Sequence, residues 1–201
     1  LTSTPLKLKS NSFTDWGKII SFGKDNSNSV SKSALYNYCL SQYIGAKTAT
    51  FPHNRQTITQ NELSYLNIPT FDQYNNNKPY YDLEYNLYLI CNSSQSNEEQ
   101  TTNINSLLES TELPIESIVT LLIKYKLPDL NKINIKSGSS IKSLLYVAAE
   151  NNSADSIRAL IDAGVNPNED SGGIHYGPDG IIKTQTISSL WVAAENNSAD
   201  S

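Results

Sequence analysis

Two side chains in the N-terminal half could form a nucleophilic pair, Cys39 and His53. A thiol beside an imidazole can act as an activated nucleophile, because the imidazole takes the thiol proton. Catalytic cysteines commonly lie near helix N-termini, where the thiolate is stabilised. Cys39 instead falls in the middle of a predicted helix, on its apolar side, as buried structural cysteines do. Two alternatives result, a Cys39–His53 catalytic pair and a structural Cys39, of which the second is favoured.

The other chemistry-bearing residues form no motif for catalysis or metal binding. The sequence contains no phosphate-binding loop, dinucleotide fingerprint or HExxH segment. His175 has no second histidine or cysteine at the spacing that metal ligands require. We therefore predict neither a metal nor a cofactor.

The composition limits the classes of partner. The 201 residues carry a net charge of -5, which argues against direct nucleic-acid binding. The apolar stretches are too short to span a bilayer, and no secretory signal is visible. Two cysteines are too few for a disulfide framework, so we expect a reducing intracellular compartment. Because the chain opens at Leu1 without a methionine, we expect a fragment of a longer protein.

An internal repeat predicts the elements that position the remaining residues. AAENNSADS occurs at Ala148–Ser156 and again, 45 positions later, at Ala193–Ser201. Around the first copy, apolar residues at helical spacing predict two short amphipathic helices. Asn152 lies at the turn between them, and asparagine tolerates positive φ. Gly164 then follows the second helix, where a left-handed glycine is common, and Pro167 prevents its continuation.

This pattern resembles an ankyrin repeat, T-P-L-H-x-A-A followed by a turn, a second helix and a G-A-D-V-N loop. The matching residues are Ser143, Leu145, Ala148, Ala149, Asn152, Ile157, Leu160, Ile161, Gly164 and Asn168. Leu144 in place of Pro and Ser156 in place of Ile depart from the pattern. The resemblance implies a mainly α fold in which helix pairs stack into a solenoid.

We predict ankyrin repeats over residues 101–201. They comprise a degenerate unit at 104–142, a full unit at 143–187 and a truncated unit at 188–201. In the degenerate unit, Ile104–Ser110 is expected to form the first helix and Pro114 to open the second.

Residues 1–100 show no ankyrin pattern and are expected to form a helical or α+β region of unidentified fold. Ser31–Ile44 predicts a helix with its apolar face formed by Leu35, Cys39, Leu40, Tyr43 and Ile44. Asp82–Cys91 is compatible with a strand or a buried helix. The polar stretch Asn92–Thr102 is predicted to be a connector and the domain boundary.

The 45-residue spacing exceeds the 33 residues of a standard ankyrin repeat, and the surplus falls in Glu169–Ile187. Ile174–Tyr176 and Ile181–Thr184 have strand composition, and Gly177–Gly180 has turn composition. We therefore predict an inserted β-hairpin at 169–187, named the finger, and a shorter hairpin within Lys126–Ser143. The finger has two interpretations, a partner-binding element or a neutral insertion.

The resemblance implies a protein–protein interaction module that binds its partner with the concave face of the solenoid. The acidic balance favours a partner with a basic patch. The predicted contact residues are Tyr146, Glu150, Asn151, Asn168, Ile174, His175, Tyr176, Asp179, Ile181, Ile182, Trp191 and Glu195. For Tyr146 and Trp191, internal packing is the alternative. Asn168 also holds the position at which ankyrin repeats are hydroxylated, although Pro167 before it departs from the usual valine.

The chain is rich in Asn, Ile, Lys, Ser and Tyr, which is typical of an AT-rich genome. Together with the insertion, this bias resembles ankyrin-repeat effectors of intracellular bacteria (Legionella-type). That resemblance implies a virulence protein secreted into the cytoplasm or nucleus of a host cell. The alternative function is an enzyme, cysteine-protease-like or transferase, that the repeats target. Its catalytic domain would lie in the N-terminal region or outside the fragment.

Overall fold

The computed structural model describes residues 7–9, 19–22, 28–52, 55–127, 129–137, 140–168, 170–176, 182–189 and 192. Helices dominate this part of the chain, accompanied by antiparallel strands, so the predicted mainly α fold is confirmed. The chain divides between Tyr85 and Asn86 into two compact units, called unit 1 and unit 2.

Unit 1 begins with a small antiparallel sheet in the order β1–β2–β3. Its strands are Lys7–Lys9, Ile19–Phe22 and Asn28–Ser31. Helix α1, Lys32–Ile44, follows directly because Ser31 caps it, accepting the N–H of Ala34.

The predicted helix at Ser31–Ile44 is confirmed, and most of its predicted apolar face is buried. The buried members are Leu35, Cys39, Leu40 and Tyr43. Ile44 was wrongly assigned to that face, since 43% of it is exposed. It is the last residue of α1, where the chain turns away at Gly45.

Two short helices of unit 1 are fixed by their caps. Helix α2 is Gln60–Leu66 and helix α3 is Phe71–Asn76. Thr59 and Thr70 each form a capping box with the side chain three residues later, which satisfies otherwise unpaired N–H groups. Asn67 closes α2 in the left-handed conformation, with φ of 53°.

Residues 82–91 belong to helix α4, Lys78–Cys91, which resolves the alternative between strand and helix. Leu83 and Leu87 are buried four residues apart, as one helix face requires, whereas Leu89 is 47% exposed. Leu83, Leu87 and Leu89 alternate with other residues as in a strand, but the exposure of Leu89 shows that they do not share one buried face.

Unit 2 contains two helices before its first hairpin. Helix α5 is Asn97–Leu108 and helix α6 is Ile115–Lys124. The prediction that Asn92–Thr102 is a connector was wrong from residue 97 onwards. Ser96 and Glu99 form a capping box, and α5 begins directly after Ser96. Pro114 is the cap residue immediately before α6 and not its first residue.

Helices α7, Leu144–Glu150, and α8, Ala154–Asp162, form the predicted pair. Asn152 has φ of 53°, and the N–H of Ser153 donates to Ala148 O over 2.9 Å, as in a left-handed helix end. Gly164 has φ of 92° after α8. Both predicted turn residues are thus confirmed. The two helices pack on each other and on α6.

The core of unit 2 is formed by apolar residues of helices α5 to α8 and of the segment that follows α6. Its fully buried members include Ile104, Leu108, Leu121, Leu122, Ile133, Leu144, Ala148 and Leu160.

Both predicted hairpins are present. The shorter one pairs β4, Asn134–Ser137, with β5, Ser140–Ser143, after a 3₁₀ turn at Leu130–Lys132. The finger pairs β6, Asp170–Tyr176, with β7, Ile182–Ser188, in antiparallel register. The predicted turn 177–180 lies outside the described residues, as does most of the truncated unit at 188–201. Ser189 and Val192, which are described there, are buried.

Candidate protein-binding surface

A cluster of polar side chains lies at the junction of β5 and α7. Tyr146 and Glu150 are one helical turn apart and therefore share a face of α7. Lys142 of β5 contacts both of them. Its Nζ lies 2.7 Å from Glu150 Oε1, 2.8 Å from Oε2 and 5.1 Å from the centre of the Tyr146 ring. These three residues, named the Tyr146 cluster, combine an ion pair with a cation–π contact.

The strand-to-helix junction positions the Tyr146 cluster. Ser143 ends β5, and its Oγ accepts the N–H of Tyr146 over 3.2 Å, so that α7 begins at once with Leu144. Lys142, the residue before Ser143, is thereby placed against the side of α7 that carries Tyr146 and Glu150. The opposite side of α7 is held in the core by Leu144, Leu145, Ala148 and Ala149.

The Tyr146 cluster remains accessible although its lysine is largely covered. The side chain of Lys142 is 13% exposed, that of Glu150 is 42% exposed, and Tyr146 is half-buried. Because Glu150 keeps contact with solvent, we expect this ion pair to contribute on the order of 1 kcal/mol or less to folding. Parts of the Glu150 and Tyr146 side chains are thus in contact with solvent.

A second glutamate occupies the corresponding end of α5. Glu109 follows the last residue of α5, and its Oε2 lies 3.9 Å from Lys136 Nζ of β4. The two strands of one hairpin therefore each supply a lysine to a glutamate at the end of a helix. Sequence reasoning missed Glu109, Lys136 and Lys142. Lys142 alone had a usable signal, its helical spacing to Tyr146 and Glu150.

Asparagine side chains link the loops of unit 2 to one another. Asn105 of α5 donates through Nδ2 to Lys132 O over 3.1 Å and accepts from the N–H of Asn134 over 2.9 Å. Asn131 Oδ1 accepts the N–H of Asn166 over 3.0 Å, which joins the loops after α6 and α8. These bonds fix the base of the β4–β5 hairpin.

Asn151 and Asn168, two predicted contact residues, are both exposed. Asn151 Nδ2 donates to Val147 O over 2.8 Å, and the N–H of Asn168 donates to Asn166 Oδ1 over 3.0 Å. Neither belongs to the Tyr146 cluster. Hydroxylation of Asn168 stays a prediction.

The finger carries four further predicted contact residues on its described strands, Ile174, His175, Tyr176 and Ile182. Tyr176 pairs with Ile182 at the end nearest the connecting turn, and β6 lies beside β5. The finger therefore adjoins the strand that supplies Lys142. The predicted contacts Asp179, Ile181, Trp191 and Glu195 lie outside the described residues.

Cys39 is fully buried in unit 1, and burial raises the pKa of its thiol to about 12. A thiol that stays protonated at neutral pH is a poor nucleophile. Burial also raises the pKa of the half-buried Cys91. His53, the suggested partner of Cys39, lies outside the described residues.

Within the described ranges, no group of three or more histidine, cysteine, aspartate or glutamate side chains could hold a metal ion. Among the helices that the structure describes, none has both the length and the apolar character needed to cross a membrane. No family model, curated protein or solved structure matches this chain. Its function is therefore inferred from the geometry of unit 2.

Proposed function

We propose that unit 2 is an ankyrin-type repeat module that binds a protein partner. The observation that carries the proposal is the order of its elements. Helix pair α5–α6, hairpin β4–β5, helix pair α7–α8 and the finger follow one another, and β5 lies beside β6. An array of helix pairs with hairpins along one edge leaves an extended surface on the first helices and the hairpins. Within this proposal, that surface includes the Tyr146 cluster.

The charge of unit 2 supports a basic partner. By sequence it contains 14 acidic residues and 7 lysines and arginines, whereas unit 1 contains 6 acidic and 8 basic residues. Glu109 and Glu150 are paired with Lys136 and Lys142, so the net negative charge of unit 2 comes from its other acidic residues. Complementary charge accelerates encounter and selects partners, and a half-buried tyrosine supplies the apolar contact.

The experiment first captures partners from host-cell lysate with the unchanged protein. The affinity of each captured partner is then measured for the unchanged protein and for the variants Tyr146→Ala and Glu150→Gln. Each substitution is expected to weaken binding by about tenfold, as truncation of an interface anchor commonly does. Asp155→Asn is the matched control, since it removes the same charge from an exposed residue of α8.

Thermal unfolding of each variant separates loss of the surface from loss of the fold. Equal affinity of the Glu150→Gln, Tyr146→Ala and Asp155→Asn proteins for every captured partner would exclude the Tyr146 cluster as the binding surface.

A separate deletion of 173–183 tests the finger. If the shortened protein captures the same partners with the same affinity, the finger is a neutral insertion.

We further propose that the protein acts inside a host cell as a secreted bacterial effector. The support is compositional, the bias towards Asn, Ile, Lys, Ser and Tyr together with an inserted repeat. A fusion to a reporter enzyme that is active only in the host cytoplasm tests this. A reporter signal that is absent during infection, with normal expression in the bacterium, would contradict it.

A further inference from the structure

A groove of about 570 Å³ opens on the surface of unit 1, between α1, α2, α3 and α4. Its volume is within the range of small-molecule sites, about 300–1,000 Å³. All of its lining residues belong to unit 1, whereas the function proposed above rests on residues of unit 2.

The groove is lined mainly by uncharged polar side chains, together with two tyrosine rings, Ile68 and Pro69. None of its described lining residues carries a charge. The side chains of Gln60, Ser64, Asn67 and Asn76 are exposed and, within the part of the chain that the structure describes, have no hydrogen-bond partner. Amides and hydroxyls can both donate and accept, so they suit a ligand whose own groups do both.

The two rings are held in place from behind. The hydroxyl of Tyr36 donates to Glu84 Oε2 over 2.7 Å, and Glu84 is fully buried. The ring of Tyr81 stacks on Tyr74 at 6.0 Å and meets the edge of Tyr80 at 5.4 Å. Fixed aromatic faces offer a ligand apolar contact without a large ordering cost.

These features discriminate among ligand classes. An anion such as a phosphate would find no lining cation, and a cation would find no lining carboxylate, because Glu84 lies beneath the surface and is bonded to Tyr36. A purely apolar ligand would leave four amide and hydroxyl groups unpaired, at a cost for each buried group. A saccharide has hydroxyls at its edge and C–H groups on its face, which match both parts of the lining.

We propose that this groove is a binding site for a neutral saccharide of two or three units. The test uses the full chain, labelled with ¹⁵N, titrated with maltotriose, cellotriose and N,N′-diacetylchitobiose. Saturable shifts are expected at the side-chain amides of Gln60 and Asn76, with a Kd on the order of 1 mM for at least one sugar.

The variant Gln60→Ala/Asn76→Ala removes two groove amides, and Asn61→Ala/Asn75→Ala removes two exposed amides of the same helices outside the groove. The first is expected to weaken binding at least fivefold and the second to leave it unchanged. The amide spectrum of each variant reports whether it is folded. Equal affinity in both variants, or no shift of groove signals with any of the three sugars, would overturn the proposal. Stronger binding of glucose 6-phosphate or of an uncharged Gly-Ser-Asn peptide in the groove would also overturn it.

Discussion

At the scale of single residues, Cys39 and Lys142 show how surroundings decide chemistry. Cys39 is a thiol without access to solvent, whereas Lys142 joins a charge and an aromatic ring at a surface. The helical periodicity around Cys39 predicted its apolar surroundings, because a helix face is determined by neighbouring residues. The Lys142 contacts were not predicted, because they depend on where β5 ends and α7 begins.

Cys39 is expected to be inert towards iodoacetamide in the folded protein at pH 7. Burial raises its pKa to about 12 and also blocks access, so the unreactive thiol form persists. Mass spectrometry of the tryptic peptide after brief labelling checks this, with the urea-unfolded protein as the positive control. Rapid labelling of Cys39 in the native protein would contradict the structure and revive a catalytic role.

The raised pKa of Cys39 also has a consequence for stability. The folded state holds the thiol proton more tightly than the unfolded state does. The resulting contribution to the free energy of unfolding is therefore complete below the usual pKa near 9, and it is lost as the pH rises towards about 12.

At the scale of elements, left-handed residues end several helices, and they differ in how visible they are in the sequence. Asn152 and Gly164 were predicted, because asparagine and glycine tolerate positive φ. Lys126, with φ of 49° after α6, was missed because lysine carries no such signal. The start of α5 was missed because the polarity of 92–102 was weighted above the Ser96–Glu99 capping box.

Gly164→Ala is expected to lower the free energy of unfolding by about 1 kcal/mol. A Cβ at this position would meet no atom within 4 Å, so the cost of about 1–2 kcal/mol arises from the φ of 92° alone. It is offset by about 0.4–1 kcal/mol, because alanine lowers the conformational entropy of the unfolded chain. Urea unfolding measures it.

Gly45→Ala is the control for this substitution, because Gly45 has φ of -79° and its new Cβ would make only ordinary contacts. It should be neutral or stabilise by up to about 1 kcal/mol. A destabilisation equal to that of Gly164→Ala would show that backbone conformation is not the cause.

At the scale of the whole molecule, the two units differ in how far sequence reasoning reached. In unit 2 the periodic pattern and the turns are local, so helix pairs and hairpins could be predicted. Unit 1 is held by contacts between distant residues, such as Tyr36 with Glu84 and the Tyr43 hydroxyl with Pro69 O over 2.8 Å. A single sequence contains no local signal for such pairs, so the groove of unit 1 could not be predicted.

The uneven charge of the units predicts a salt-sensitive interaction. If the acidic unit 2 attracts a basic partner, raising the salt from about 0.1 to 1 M shortens the Debye length from about 10 to 3 Å. The association rate should then fall about tenfold or more, with little change in the dissociation rate. Surface plasmon resonance with the captured partner measures both rates. An unchanged association rate would mean that charge does not steer the encounter.

The bond between Asn131 and Asn166 has a consequence for how such a chain can grow. One loop supplies the side-chain acceptor and the next supplies the backbone donor. Because the donor is a backbone N–H, which every residue except proline provides, this bond depends on the identity of Asn131 and not on that of Asn166. Under the proposal that unit 2 is a repeat array, a further unit would bring its own donor, and only an acceptor side chain in the preceding unit would have to be retained.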